Sequence, residues 1–179
     1  MGLLRQYSST IHGNYKKASL TYGLLMGIIM FLILLFRYLI YYPMTSPISM
    51  VDEIALLVLM FLATILYKNG LKDKKITLKE AYLLSFLSAI VCIVVYGIFM
   101  YIYAVGIDHD LQKRCIENLR NIPEYKKYTD IQMKEMTRIS SIVMQSVFTN
   151  VVMSVLWALV VGVILRNEKS EVVNKNKLK

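Results

Sequence analysis

Three groups of residues have types and spacings that could do chemistry. Arg37 lies inside an apolar stretch, and Asp52-Glu53 follow it across a short turn containing Pro43 and Pro47. A cation and carboxylates brought together this way can latch two helices, and an arginine can also hold an anionic substrate. Asp108-His109-Asp110 offers metal-ligand types, but three consecutive helical residues point in different directions and cannot all grip one ion. The third group is a pair of polar stripes near the C-terminal end. Ser141, Gln145 and Thr149 recur every four residues, and Ser146, Asn150 and Ser154 run beside them. Gln145, Thr149, Asn150 and Ser154 could line a polar pathway, yet Ser and amide side chains are also ordinary glue between helices in lipid, which favours packing.

Catalytic patterns are absent from the sequence. It has no GxSxG elbow, no HExxH pair and no aspartate-rich phosphotransfer motif, and the late Ser and Asn residues have no His or carboxylate partner at their depth. Cys92 lies in an apolar run and Cys115 in a polar loop, so they are expected to be separated by the membrane surface and unpaired. We therefore expect no catalytic residue, no cofactor, no metal site and no enzyme activity.

The elements that must position these residues are four apolar runs: 20–42, 51–67, 81–105 and 140–165. A hydrocarbon core of about 30 Å needs about 20 apolar residues of helix to cross it. With 56% hydrophobic residues and a mean hydropathy of +0.51, the 179-residue chain is expected to be one integral membrane domain. In lipid each backbone polar group must be satisfied within its own segment, so the runs are helices. Short connections predict an all-α, up-down-up-down four-helix bundle. Gly23 and Gly27 place a GxxxG pair on one face of the first span, and Ser85, Ser88, Ala89 and Cys92 form a small-residue stripe on the third. Asn69-Gly70 is expected to cap the second span.

Charge sets the orientation. Thirteen Lys and Arg, with four acids, fall before the first span, between the second and third, and in the tail 166–179. The opposite side carries seven basic and six acidic residues, all in the loop 106–139. The positive-inside rule then places both termini in the cytoplasm and that loop outside. Tyrosines at the run ends, including Tyr38, Tyr41, Tyr42, Tyr101 and Tyr103, suit the head-group zone. The segment 1–19 has no apolar core and no cleavage pattern, so no signal peptide is expected, and Gln6 stands where a myristoylation motif needs Ser or Thr.

The loop 106–139 reads as two short helices: Asp108–Arg120, and a second that starts at Pro123-Glu124 and runs on into the fourth span. Ile131, Met136 and Ile139 are expected to rest on the membrane surface or on the bundle end. The net charge of +9 sits at helix ends, without the interleaved aromatics that stack bases, so the expected partner is the lipid bilayer and not nucleic acid.

The chain resembles the domain of unknown function 4199 family, found mainly in bacteria of the Bacteroidota. The likeness rests on Tyr22-Gly23 and Gly27, on Lys75-Ile76-Thr77-Leu78-Lys79-Glu80-Ala81, and on the close Gly162-Val163-Ile164-Leu165-Arg166. It spans about residues 15–170, with a shorter outer segment than the family pattern. The resemblance implies a four-span protein of the bacterial inner membrane and brings no known activity.

Two functions follow as expectations. The first is a structural or accessory component acting on a protein partner or a second copy through its helix faces or outer loop. The other is a small transporter or channel subunit with a polar pathway along the fourth span. Only Arg37 is read as lying within a span, Asp52 and Glu53 opening the second, so the interior is expected to be nearly free of ionisable groups, which counts against a proton-coupled carrier.

Overall fold

The computed structural model describes residues 14–40, 44, 46 and 49–167. Four long apolar helices pack together: α1 (Tyr15–Leu39), α2 (Met50–Gly70), α3 (Leu78–Gly106) and α6 (Ile139–Leu165). Between α3 and α6 stand α4 (Leu111–Arg120), a 3-10 turn at Pro123–Tyr125 and α5 (Asp130–Met136). No strand occurs among the described residues. Pro43, Pro47, Tyr41 and Tyr42, and the N-terminal and tail segments read above, lie outside the described residues.

The helices outrun the apolar stretches because their ends are capped in polar sequence. α1 starts at Tyr15, where the Asn14 side chain accepts from the Lys16 N–H at 3.0 Å. α3 starts at Leu78, fixed by a capping box between Thr77 and Glu80. The end of α2 differs from expectation. The first turn residue with positive φ is Lys74 (φ 48), not Gly70, so Asn69-Gly70 is no left-handed cap. α2 closes instead on Leu71, whose N–H donates to the Lys68 carbonyl at 3.2 Å, while Lys68 Nζ donates at 3.0 Å to the Leu165 carbonyl at the C-terminus of α6.

α3 is the axis of the bundle. α1 lies parallel to it, α6 packs antiparallel on it, and α2 makes lighter contacts with α6, α3 and α1. The α1–α3 approach is set by two glycines: a Cβ at Gly23 would fall 2.5 Å from Val91 Cβ, and one at Gly27 2.7 Å from Val95 Cβ. Backbones come this close in lipid only where side chains vanish. Gly97 does the same against α6, where a Cβ would meet Val147 Cγ2 at 2.9 Å.

α2 is the short member, with 21 residues against 29 in α3. Its register on α3 is given by Thr64 and Ser85, whose hydroxyls share a 2.7 Å hydrogen bond. Counting back along the antiparallel pair puts Met50 level with about residue 99 of α3. α3 thus continues for about two more turns, ~10 Å, past the start of α2. Met44, Leu111 and Cys115, each at most 1% exposed, join the same core as Met100, Tyr103 and Ala104 at that level. The segment between α3 and α6 is therefore a cap docked on the bundle by an apolar underside.

The cap departs from the two-helix expectation. The second helix does not run from Pro123 into the fourth span. It is broken into the 3-10 turn, α5 and a kink at Thr137–Arg138. Thr129 and Gln132 form a capping box that starts α5 afresh. Thr137, 2% exposed, closes it by donating to the Met133 carbonyl at 2.7 Å. Met136 and Ile139 are half-buried while Ile131 is 77% exposed.

Candidate functional site

Two buried carboxylates stand one above the other along α3. Asp52 is in the first turn of α2 and Arg37 in the last turn of α1. Each charge suits the dipole of its own helix end. Arg37 Nη1 donates to Asp52 Oδ1 at 3.1 Å and to Ser49 Oγ at 3.0 Å. The other carboxylate oxygen, Oδ2, accepts from the Tyr96 hydroxyl at 3.1 Å. Asp52 is 3% exposed, Arg37 7% and Tyr96 2%. The guanidinium reaches inward. On the α1–α3 register Arg37 lies level with about residue 103 and Asp52 with about residue 97 of α3.

This corrects the expectation of an interior nearly free of ionisable groups. Asp52 sits in an apolar span, level with a point about nine residues short of the cap-side end of α3. The cause is the short α2, whose start lies below the cap. Burial of a lone charge is costly, and this pair remains because each member satisfies the other together with two hydroxyls. Glu53, half-buried, makes no ion pair with Arg37 among those between described residues.

The second carboxylate, Asp108, follows the end of α3 and is 2% exposed. Its Oδ2 accepts from the Tyr103 hydroxyl at 2.5 Å and from Arg114 Nη2. Arg114 Nε also donates to the Met44 carbonyl at 3.3 Å, tying the α1–α2 connection to α4. Tyr38 packs edge-on against the Tyr103 ring, centroids 5.8 Å apart at 85°. Burial disfavours the charge on Arg114, but hydrogen bonding to Asp108 and its negative charge outweigh that and raise its pKa. Tyr96 and Tyr103 are seven residues apart on one face of α3, so one helix anchors both networks.

The remaining sequence candidates fall as follows. His109 and Asp110 stay on the surface while Asp108 turns inward. No group of three or more metal-ligating side chains forms among the described residues. The Cys115 thiol is not in a watery loop: α4 docks it in the core, and burial pushes its pKa up to about 11. Gln145, Thr149, Asn150 and Ser154 do not share one face. Asn150 and Ser154 are buried with Ser146, whereas Gln145 is exposed and Thr149 half-exposed. Asn150 Nδ2 donates to the Ser146 carbonyl at 2.9 Å and Ser154 Oγ to the Val151 carbonyl at 2.7 Å, so both bond back to their own helix. Asn150 Oδ1 is buried without a hydrogen-bond partner among the described residues.

A sequence reading that finds Arg37 and Asp52 misses Ser49, Tyr96, Tyr103, Asp108 and Arg114. Tyr96 and Tyr103 carried one signal, a heptad spacing within the third span. The Asp108–Arg114 spacing of six carried none, because it meets only where Asp108 lies outside the helix that holds Arg114.

The two networks, and the four long helices apart from the first six residues of α1, lie within residues 21–167, which match the family model described as Protein of unknown function (DUF4199). The chain belongs to this family. Neither a curated protein nor a solved structure matches it. Membership assigns no chemistry to the two networks.

Proposed function

We propose that this protein is a non-enzymatic accessory component of the bacterial inner membrane, with both termini in the cytoplasm, which presents its cap outside to a protein partner. The observation that carries this reading is how the buried charge is spent. Asp52 fastens α1 to α2 and α3, Asp108 fastens α3 to Arg114 of α4, and Arg114 in turn fastens the Met44 segment. Both networks hold a surface in place. The cap carries exposed Ile122, Tyr128 and Ile131, with exposed Lys126 and Lys127 between them in sequence, and protein partners bury apolar side chains of this kind. The orientation is supported by the excess of basic residues on the other side.

A photo-crosslinker placed at Ile131 in native membranes tests this. The reading expects one discrete adduct there and none at the lipid-facing control Leu25. Smears of equal intensity at both positions would reject it.

A second reading, a small transporter or channel subunit, is favoured by one observation: Asp52 is a carboxylate inside a membrane-spanning helix. Its mark would be ion or proton flux in proteoliposomes that Asp52→Asn abolishes while the protein stays folded.

A further inference from the structure

The cap-side end of the α3–α6 seam holds an apolar groove of about 510 Å³, lined by Val94, Gly97, Ile98, Tyr101, Met144 and Val147 among others. Tyr101 and Met144 stand up on its flanks, 51% and 70% exposed. At this level of two membrane-spanning helices such a groove is filled by hydrocarbon. A second cleft, about 400 Å³, lies between α4 and α5, with Lys113, Arg120, Lys134 and His109 on its walls and Glu117 as its one acid. Gln112 Nε2 donates to the Lys134 carbonyl at 3.1 Å and ties those walls together. Arg120 is paired with Asp130, but Lys113 and Lys134 enter no ion pair among the described residues.

The two hollows share no lining residue but follow one another along the chain on both sides. One wall runs from Ile102 in the groove to His109 in the cleft, and the other from Lys134 in the cleft to Ser140 in the groove. We propose that together they form a site for one anionic phospholipid of the cap-side leaflet, its acyl chain in the α3–α6 groove and its phosphate between Lys113 and Lys134. Charge complementarity decides the class of ligand. Apolar contact discriminates little between lipids in a bilayer, since every tail offers it. Two unpaired ammonium groups beside the head group do discriminate, each by about fivefold in affinity.

The test uses the full chain in detergent micelles, counting bound lipid by native mass spectrometry during titration with phosphatidylglycerol or phosphatidylcholine of identical chains. The expected result is one phosphatidylglycerol retained in preference to phosphatidylcholine. Lys113→Ala or Lys134→Ala should each weaken it about fivefold. Both lysines are exposed, so neither change threatens the fold. Ile98→Trp fills the groove from a position 58% exposed and should weaken retention of the same lipid. Equal retention of the two lipids, or a preference that both lysine variants leave intact, would overturn the proposal. So would full competition by inorganic phosphate together with indifference to Ile98→Trp, which would identify a soluble anion as the ligand.

Discussion

Asp52 and Arg37 form a pair in which each buried charge is compensated by the other. Taking one partner away leaves a charge in an apolar interior, a loss of about 3–5 kcal/mol, whereas replacing both with apolar residues of similar volume is close to neutral. Asp52→Asn or Arg37→Gln should therefore destabilise the bundle by that amount in micelles, and Arg37→Met with Asp52→Leu by much less. Denaturant titration of the three proteins checks this; equal losses in singles and double would mean the pair is not coupled. Tyr96→Phe removes one hydrogen bond to the carboxylate and should cost about 1.5–3 kcal/mol. Cys115 offers a pH test. Its thiol is raised to about 11, so the reactive thiolate is scarce at pH 8 and grows as pH rises towards that value. Labelling of Cys115 in the folded protein should be slow at pH 8 and accelerate through pH 10. Rapid labelling at pH 8 would mean that α4 is not docked. At this scale the sequence was half legible. Arg37 and Asp52 announce each other as opposite charges across a short turn. Tyr96 does not, because a tyrosine in an apolar span reads equally well as a packed ring.

At the level of elements, α3 does most of the work: it meets α1 at the glycines of α1 and α6 at its own Gly97. Gly27→Leu would drive a side chain into Val95 and the Cys92 carbonyl, 2.7 and 3.1 Å from the first added carbon. Because α3 carries both tyrosine anchors, separation of α1 should be felt at Arg37 as well. The predicted outcome is a lower thermal midpoint and loss of the advantage of wild type over Asp52→Asn. Persistence of the full difference between those two would show the glycine contact and the charge pair to be independent. The polar faces of α6 make a second prediction. In a background with Cys92 and Cys115 replaced by Ala, a cysteine at buried Asn150 should resist a water-soluble thiol reagent; brisk labelling would favour the pathway reading of α6. The four spans were legible from their lengths, and the GxxxG pair from its spacing. The depth of α2 was not. A 17-residue apolar run beside one of 25 signals a short helix, but which end is recessed depends on the Thr64–Ser85 register, which only the packed bundle supplies. The break at Thr137 was hidden for a similar reason: its hydroxyl is satisfied locally at Met133, and the sequence there is otherwise a good helix.

Seen whole, the molecule is a membrane bundle with three walls of full length, one short wall, and a cap that fills the difference. The notch explains why two carboxylates can be buried near one end of a protein whose spans are otherwise apolar. It also explains why the segment between α3 and α6, read from sequence as a loop of two surface helices, has an apolar underside. In the proposed orientation this cap lies outside the cell, opposite the lysine-rich turn between α2 and α3. Reporter fusions ending after Lys75 and after Lys126 test that most directly. The predicted result is cytoplasmic activity for the first and external activity for the second. The same side for both would contradict the four-span bundle, and the reverse pattern would contradict a cap presented outside.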